Sequence, residues 1–246
     1  MKALIETTIQ INRIFKSKKR AAINEFMREN ECYCSSYVLG EFKANMVHDF
    51  LTVYGIVRAE NNFMDVFEKI AEVYSSSRQK SRLILLVTNL QRDYGDDYLL
   101  VKEQLEEYPE LLLHRFGRGI NARLLNSTDC ARAKAELDTE RMTWKGRGVQ
   151  CRKDCNQCAI SDFWRKNRDL IQNLAGAEDV PDKMMEPLKR LKEKGEIPKG
   201  NACRSLGDCI IALESLELEN GCVVTSNEMD YVPICRETGA GLTVIR

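Results

Sequence analysis

Two short apolar segments near the ends of the chain constrain its fold most: ALI at 3–5 and CVVT at 222–225. Each is too short for a helix, and neither alternates apolar with polar residues. Such runs predict strands covered on both faces, as in a parallel sheet sandwiched by helices. Cys32–Ser36 and Leu242–Ile245 read as two further strands. Between them, apolar residues recur at helical spacing. Ile9 to Arg28 carries Ile11, Ile14, Phe15, Ala22 and Phe26. About Val38 to Tyr74 carries Phe42, Met46 and Phe50 on one face, then Phe63, Phe67 and Ile70. Ser81–Leu90, Asp97–Leu113, Phe163–Leu174, Lys183–Lys194 and Leu206–Leu218 complete the helical set. The order strand, helix, strand, helices, helix, strand, strand predicts an α/β fold with a parallel sheet flanked by helices.

The 246 residues suit one α/β domain with an insertion, or two small domains. With 37 basic and 37 acidic residues, the chain has no net charge that would coat nucleic acid everywhere, so a polyanion site has to be a local patch. The opening MKALIETTIQINRIF meets Glu6 and Arg13 too soon for a secretory leader. The longest strongly apolar run, Leu83 to Leu90, is less than half a membrane span. A cytoplasmic chain is expected, with no membrane partner. There, ten cysteines are not a disulfide framework; most are buried thiols, and a tight cluster points to metal.

In an open parallel sheet, function gathers at the carboxyl ends of the strands. Glu6 follows the first strand, and Glu41 follows the second in SSYVLGEF. Asp208 opens a helix in SLGDCIIAL, and Asp230 lies just past the third strand in VVTSNEMDY, beside Asn227. Any one of these acids is ordinarily a cap or a solvated turn residue. Four brought together repel one another unless a cation sits among them, and Mg2+ or Mn2+ prefers such oxygen ligands.

Four pieces, ALIETT, CSSYVLGEF, SLGDCIIALESLELENG and CVVTSNEMDYVPIC, resemble the PIN domain family of metal-dependent nucleases. The resemblance covers roughly residues 1–60 and 200–246. It implies metal ligation and catalysis by Glu6, Glu41, Asp208 and Asp230, with Asn227, Thr8 and Ser226 as accessory residues. It implies hydrolysis of phosphodiester bonds with Mg2+ or Mn2+, in RNA first and single-stranded DNA second. A homodimer or a regulatory protein partner also fits the family. The family usually has aspartate where this chain has Glu6, whose extra methylene reaches more than about 1 Å further. That departure supports the alternative of a catalytically degenerate PIN-like nucleic-acid-binding or scaffold protein.

On this reading the PIN-like domain comprises 1–115 and 198–246, interrupted by a helical, cysteine-containing basic lobe at 116–197. Cys151, Cys155 and Cys158 stand as C-x3-C-x2-C in CRKDCNQC. With Cys130 they make a four-thiolate set for zinc or an iron–sulfur cluster; Cys203 or a solvent species is the other candidate for the fourth place. Around them lie Arg141, Lys145, Arg147, Arg152, Lys153, Arg165, Lys166 and Arg168, opposed within that stretch only by Asp154 and Asp162. Trp144 and Trp164, the only tryptophans, flank the cysteines. Cations that contact phosphates and indoles that stack on bases make this a candidate nucleic-acid surface.

Overall fold

The computed structural model describes residues 1–15, 17–151, 157–177 and 179–246. Arg152, Lys153 and Cys155 lie outside the described residues. The chain groups into two compact units: one of 1–41, 117–134 and 149–246, the other of 42–116 and 135–148. The stretch 116–197, expected as one lobe, thus contributes to both. No helix among the described residues is long and apolar enough to cross a membrane.

The first unit is built on a four-stranded parallel sheet. Its strands are β1 (Lys2–Ile5), β2 (Glu31–Tyr33), β5 (Gly221–Thr225) and β6 (Gly241–Val244), in the order β2-β1-β5-β6. The two segments that dominate the sequence are its central pair: Ala3 lies against Cys222 and Ile5 against Val224. Side chains alternate across the sheet, so each central strand needs apolar residues throughout. Ala3, Ile5, Cys222 and Val224 face α1 (Thr7–Ile14) and α2 (Arg20–Glu29), closing a core with Ile9, Ile23, Cys32 and Ile245. Helix α13 (Gly207–Ser215) also packs on β1 and β5, where Leu4 and Val223 are fully buried. Helix α14 (Glu228–Thr238) connects β5 to β6 as a parallel crossover.

The strands fall close to where their apolar runs predict, but the helical runs are cut more finely. Ile9–Arg28 is two helices, because Phe15 ends α1 and Ser17 accepts from the Lys19 amide at 3.2 Å in the turn. The stretch Val38–Tyr74 divides into α3 (Ser36–Phe42), a π-helical turn (Lys43–Val47), α4 (His48–Ala59) and α5 (Phe63–Val73). Asn62 accepts from the Asp65 amide at 3.0 Å and starts α5 anew. Asp97–Leu113 is α7 (Tyr98–Gln104) and α8 (Tyr108–Gly117), and Phe163–Leu174 lies in α9 (Ile160–Lys166) and α10 (Arg168–Leu174). Apolar periodicity runs on through such breaks, whereas a polar cap ends a helix in a single residue.

The second unit packs α4, α5, α6 (Ser77–Tyr94), α7 and α8. Phe50 stacks on Tyr108 with centroids 5.2 Å apart. The buried Asp49 takes two bonds from Arg82, at 2.5 and 3.3 Å. A short antiparallel pair, β3 (Leu137–Asp138) and β4 (Thr143–Trp144), interrupts a stretch that reads in sequence as irregular.

Candidate active site

Glu6 follows β1 with no intervening loop and is the N-cap of α1. Its Oε2 accepts from the Thr8 amide at 2.8 Å, and its Oε1 from the Thr8 hydroxyl and from Thr225 Oγ1, the latter at 2.9 Å. Burial raises its pKa to about 7 against these three bonds, with Asp208 adding a push in the same direction. Glu41, on α3, accepts from Thr7 Oγ1 at 2.7 Å. It too is raised, first by burial and further by Asp208, while Arg132 and Thr7 oppose the rise. Asp208 stands on the first turn of α13 and Asp230 on the first turn of α14.

These four acids converge. Asp208 raises both Glu6 and Glu41, and Asp230 raises Asp208. The Tyr231 phenol is 1% exposed and lies in the field of Glu6, Asp208 and Glu41, which together with burial hold its proton on. Its hydroxyl has no hydrogen-bond partner of normal geometry among the described residues. Around them, Thr8 Oγ1 lies 3.0 Å from Ser226 Oγ, and Asn227 Nδ2 donates to Asp230 Oδ2 at 3.0 Å. The strand-end acids and all three accessory residues therefore occupy one site.

Lys183, which opens no motif in the sequence, completes it. It projects from α11 (Asp182–Lys194), and its ammonium lies 3.1 Å from Asp208 Oδ2 and 2.8 Å from Asp230 Oδ2. Burial raises the pKa of Asp230, but the bonds from Lys183 and Asn227 outweigh it and the group falls below its ordinary range. Burial lowers Lys183, and the two aspartates more than reverse that. Asp208 stays raised, because its burial outweighs the same ammonium. Close packing also shapes the site: a Cβ on Gly207 would meet Tyr37 Oη at 2.9 Å and Glu41 Oε1 at 3.2 Å.

The cysteines form a second cluster. Cys130, Cys151, Cys158 and Cys203 line one cavity of about 20 Å³ with Tyr37, Arg132 and Ile160. The described cysteines carry no disulfide. Cys203 hydrogen-bonds Cys151 and so lowers the Cys151 pKa, while that bond and burial raise Cys203. Among the described residues, no three His, Cys, Asp or Glu side chains are already arranged to hold a metal ion. A wider cavity of about 580 Å³ opens beside Cys151, lined by Glu186, Arg190, Glu196 and Lys199.

The basic, tryptophan-bearing surface is corrected in part. Trp164 is 1% exposed and packs edge-on against Phe163, so it offers no face to a base. The half-buried Trp144 donates to His48 Nδ1 at 3.3 Å. Much of the local positive charge is met by acids outside the counted segment. Lys145 lies 3.5 Å from Glu136, and Lys166 lies 3.1 Å from Glu217; Arg165 pairs with Asp162 at 2.7 Å. Arg147 is exposed.

Sequence reasoning missed Lys183, Tyr231, Arg132 and Glu214. The last is fully buried on α13, accepts from Thr128 at 3.1 Å, and is raised by burial to about 8. A carboxyl on the inward face of an apolar helix was its only sequence signal. No protein-family model, no curated protein and no solved structure matches this chain.

Proposed function

We propose that this chain is a PIN-like, divalent-metal-dependent nuclease that hydrolyses phosphodiester bonds, with RNA as its substrate. The observation that carries this reading is the convergence of Glu6, Glu41 and Asp208 around one buried tyrosine, with Asp230 joined to Asp208 through Lys183, from positions more than 220 residues apart in sequence. Carboxylates are gathered at such a cost when a cation shares the site. The donor set fits Mg2+ or Mn2+: all oxygen, anionic, with Glu6 and Glu41 raised by burial and by Asp208. Glu41, Asp208 and Asp230 are the residues that would hold the ion, while both oxygens of Glu6 are engaged by Thr8 and Thr225. When bound, the ion supplies water activation and neutralisation of phosphate charge.

The chain's own residues supply the rest. Thr8 and Thr225 orient Glu6, Thr7 orients Glu41, and Asn227 orients Asp230. Glu6, with a pKa of about 7, can take or return a proton near neutrality. Lys183 offers a positive charge that exchanges between the aspartates and a substrate phosphate. Lys145 and Arg147 lie on the exposed surface that also carries the half-buried Trp144, a patch suited to the nucleic-acid backbone.

One observation favours the catalytically degenerate scaffold instead: Lys183 already neutralises the Asp208–Asp230 pair. Incubating labelled single-stranded RNA with the protein and Mn2+ or Mg2+ separates the two readings. The nuclease reading expects cleavage that Asp208→Asn abolishes. Absence of cleavage with every divalent ion leaves the scaffold, and equal cleavage by Asp208→Asn removes the acids from the mechanism.

A further inference from the structure

We infer that Cys130, Cys151, Cys158 and Cys203 bind one structural zinc ion. These four thiols come from three separated stretches of chain and line the same small cavity. Its volume, about 20 Å³, accommodates one water-sized body. That matches a single ion. Among the described residues the cavity wall holds sulfur donors and no carboxylate, a set that selects zinc over Mg2+ or Mn2+.

Three features suit the cavity to a thiolate-bound cation. Gly40 lets the sulfur of Cys130 approach closely: a Cβ there would lie 2.9 Å from Cys130 Sγ and 3.0 Å from Arg132 Cβ. Arg132 is 4% exposed, stacks over Tyr37 at 4.9 Å, and its Nε has no hydrogen-bond partner among the described residues. This guanidinium, buried beside the thiols with Glu41 also in its field, would face the two negative charges that a zinc tetrathiolate carries. The wider cavity beside Cys151 offers hydrated zinc a route to the sulfurs. Binding is redox-neutral. Thiol protons leave to solvent, zinc sheds its water, and four sulfur–zinc bonds form. Since the thiols are not already set as a ligand group, the ion draws the cavity wall inward.

The position of the ligands gives the ion its effect. Cys203 lies on α12 (Asn201–Ser205), immediately before the helix that begins with Gly207 and Asp208. Tyr37 Oη donates to the Cys203 carbonyl at 3.4 Å and borders Gly207. Zinc would therefore brace the segments that present Glu41 and Asp208, from behind and outside the acidic site.

Elemental analysis of the purified full chain tests the assignment without any activity assay, so it stands or falls apart from the nuclease reading. The expected result is one zinc per chain that survives dialysis against Mg2+. Cys203→Ser and Cys130→Ser should weaken zinc at least ~10-fold in competition with a chelating dye, while Cys155→Ser retains it. Cobalt-loaded wild type should show the thiolate charge-transfer bands of a four-sulfur tetrahedral site. Cys203→His, still able to ligate, should keep the metal and shift those bands, which guards against a serine variant that fails to fold. Bound iron with sulfide, a Cys151–Cys203 disulfide without zinc, retention of zinc by Cys203→Ser, or its loss in Cys155→Ser would each overturn the proposal.

Discussion

The acidic site and the cysteine cavity share one compact unit and meet the same problem differently. Both gather groups that become anionic in a partly buried place. At the acids a mobile charge is built in: Lys183, half exposed, spans Asp208 and Asp230. At the cysteines the built-in charge is Arg132, buried, stacked on Tyr37, and not fully hydrogen-bonded. A half-exposed lysine on a flexible stem can exchange with an incoming ligand. A buried planar guanidinium cannot move aside and instead fixes the charge of whatever it faces. The first arrangement suits reversible binding and turnover, the second a permanent brace.

The largest test of this contrast is Asp208→Asn. It should lower RNA cleavage roughly 100- to 1,000-fold while leaving zinc content unchanged. Loss of both together would mean that the two clusters are one site.

Next in size is the buried Glu214, which accepts from Thr128 in the wall of the cysteine cavity. Its folded pKa of about 8 lies above the ordinary value of 4.5. The neutral carboxyl is therefore the stabilising form. Its contribution is complete below about 4.5 and fades as pH rises through about 8. Wild type should lose stability relative to Glu214→Gln across that window, by up to about 1.4 kcal/mol per pH unit. Parallel melting curves for the two proteins at a series of pH values would reveal it. Equal pH dependence would show that Glu214 is ionised in the fold.

Paired glycine substitutions give a smaller and sharper effect. Gly207→Ala should push on Tyr37 and Glu41, and Gly40→Ala on Cys130 and Arg132. Each should cost about 1–3 kcal/mol of stability through overpacking. Denaturant titration measures that cost. Beyond it, the first variant should lose cleavage while keeping zinc, and the second should lose zinc. The smallest effect is expected of Lys183→Met. Removing the ammonium should lower the half-saturating Mn2+ concentration about 10-fold, or about 1.4 kcal/mol. An increase instead would make Lys183 a partner of the bound ion rather than its competitor.

The strands and the acids were legible in the sequence because both are encoded locally. A three- or four-residue apolar run buried on both faces has few other readings, and a carboxyl directly after it falls at the strand's carboxyl edge. Glu6 is also the cap of α1, accepting from the Thr8 amide two residues on. The helix boundaries were less legible, since periodicity passes through Asn62 and Ser17 while their side chains end the hydrogen-bond ladder. Trp164 misled because a tryptophan amid basic residues looks the same in sequence whether its ring is buried or exposed.

By itself, then, the sequence determined a helix-flanked parallel sheet, the acids at its strand ends, and a dense group of thiols. Which charges and thiols meet was decided only by the tertiary structure. Lys183 reaches acids 25 and 47 residues away, and Cys203 joins cysteines that no spacing rule connects to it. Local spacing fixes backbone period and capping. Encounters between distant side chains depend on how helices pack, which no short stretch of sequence contains.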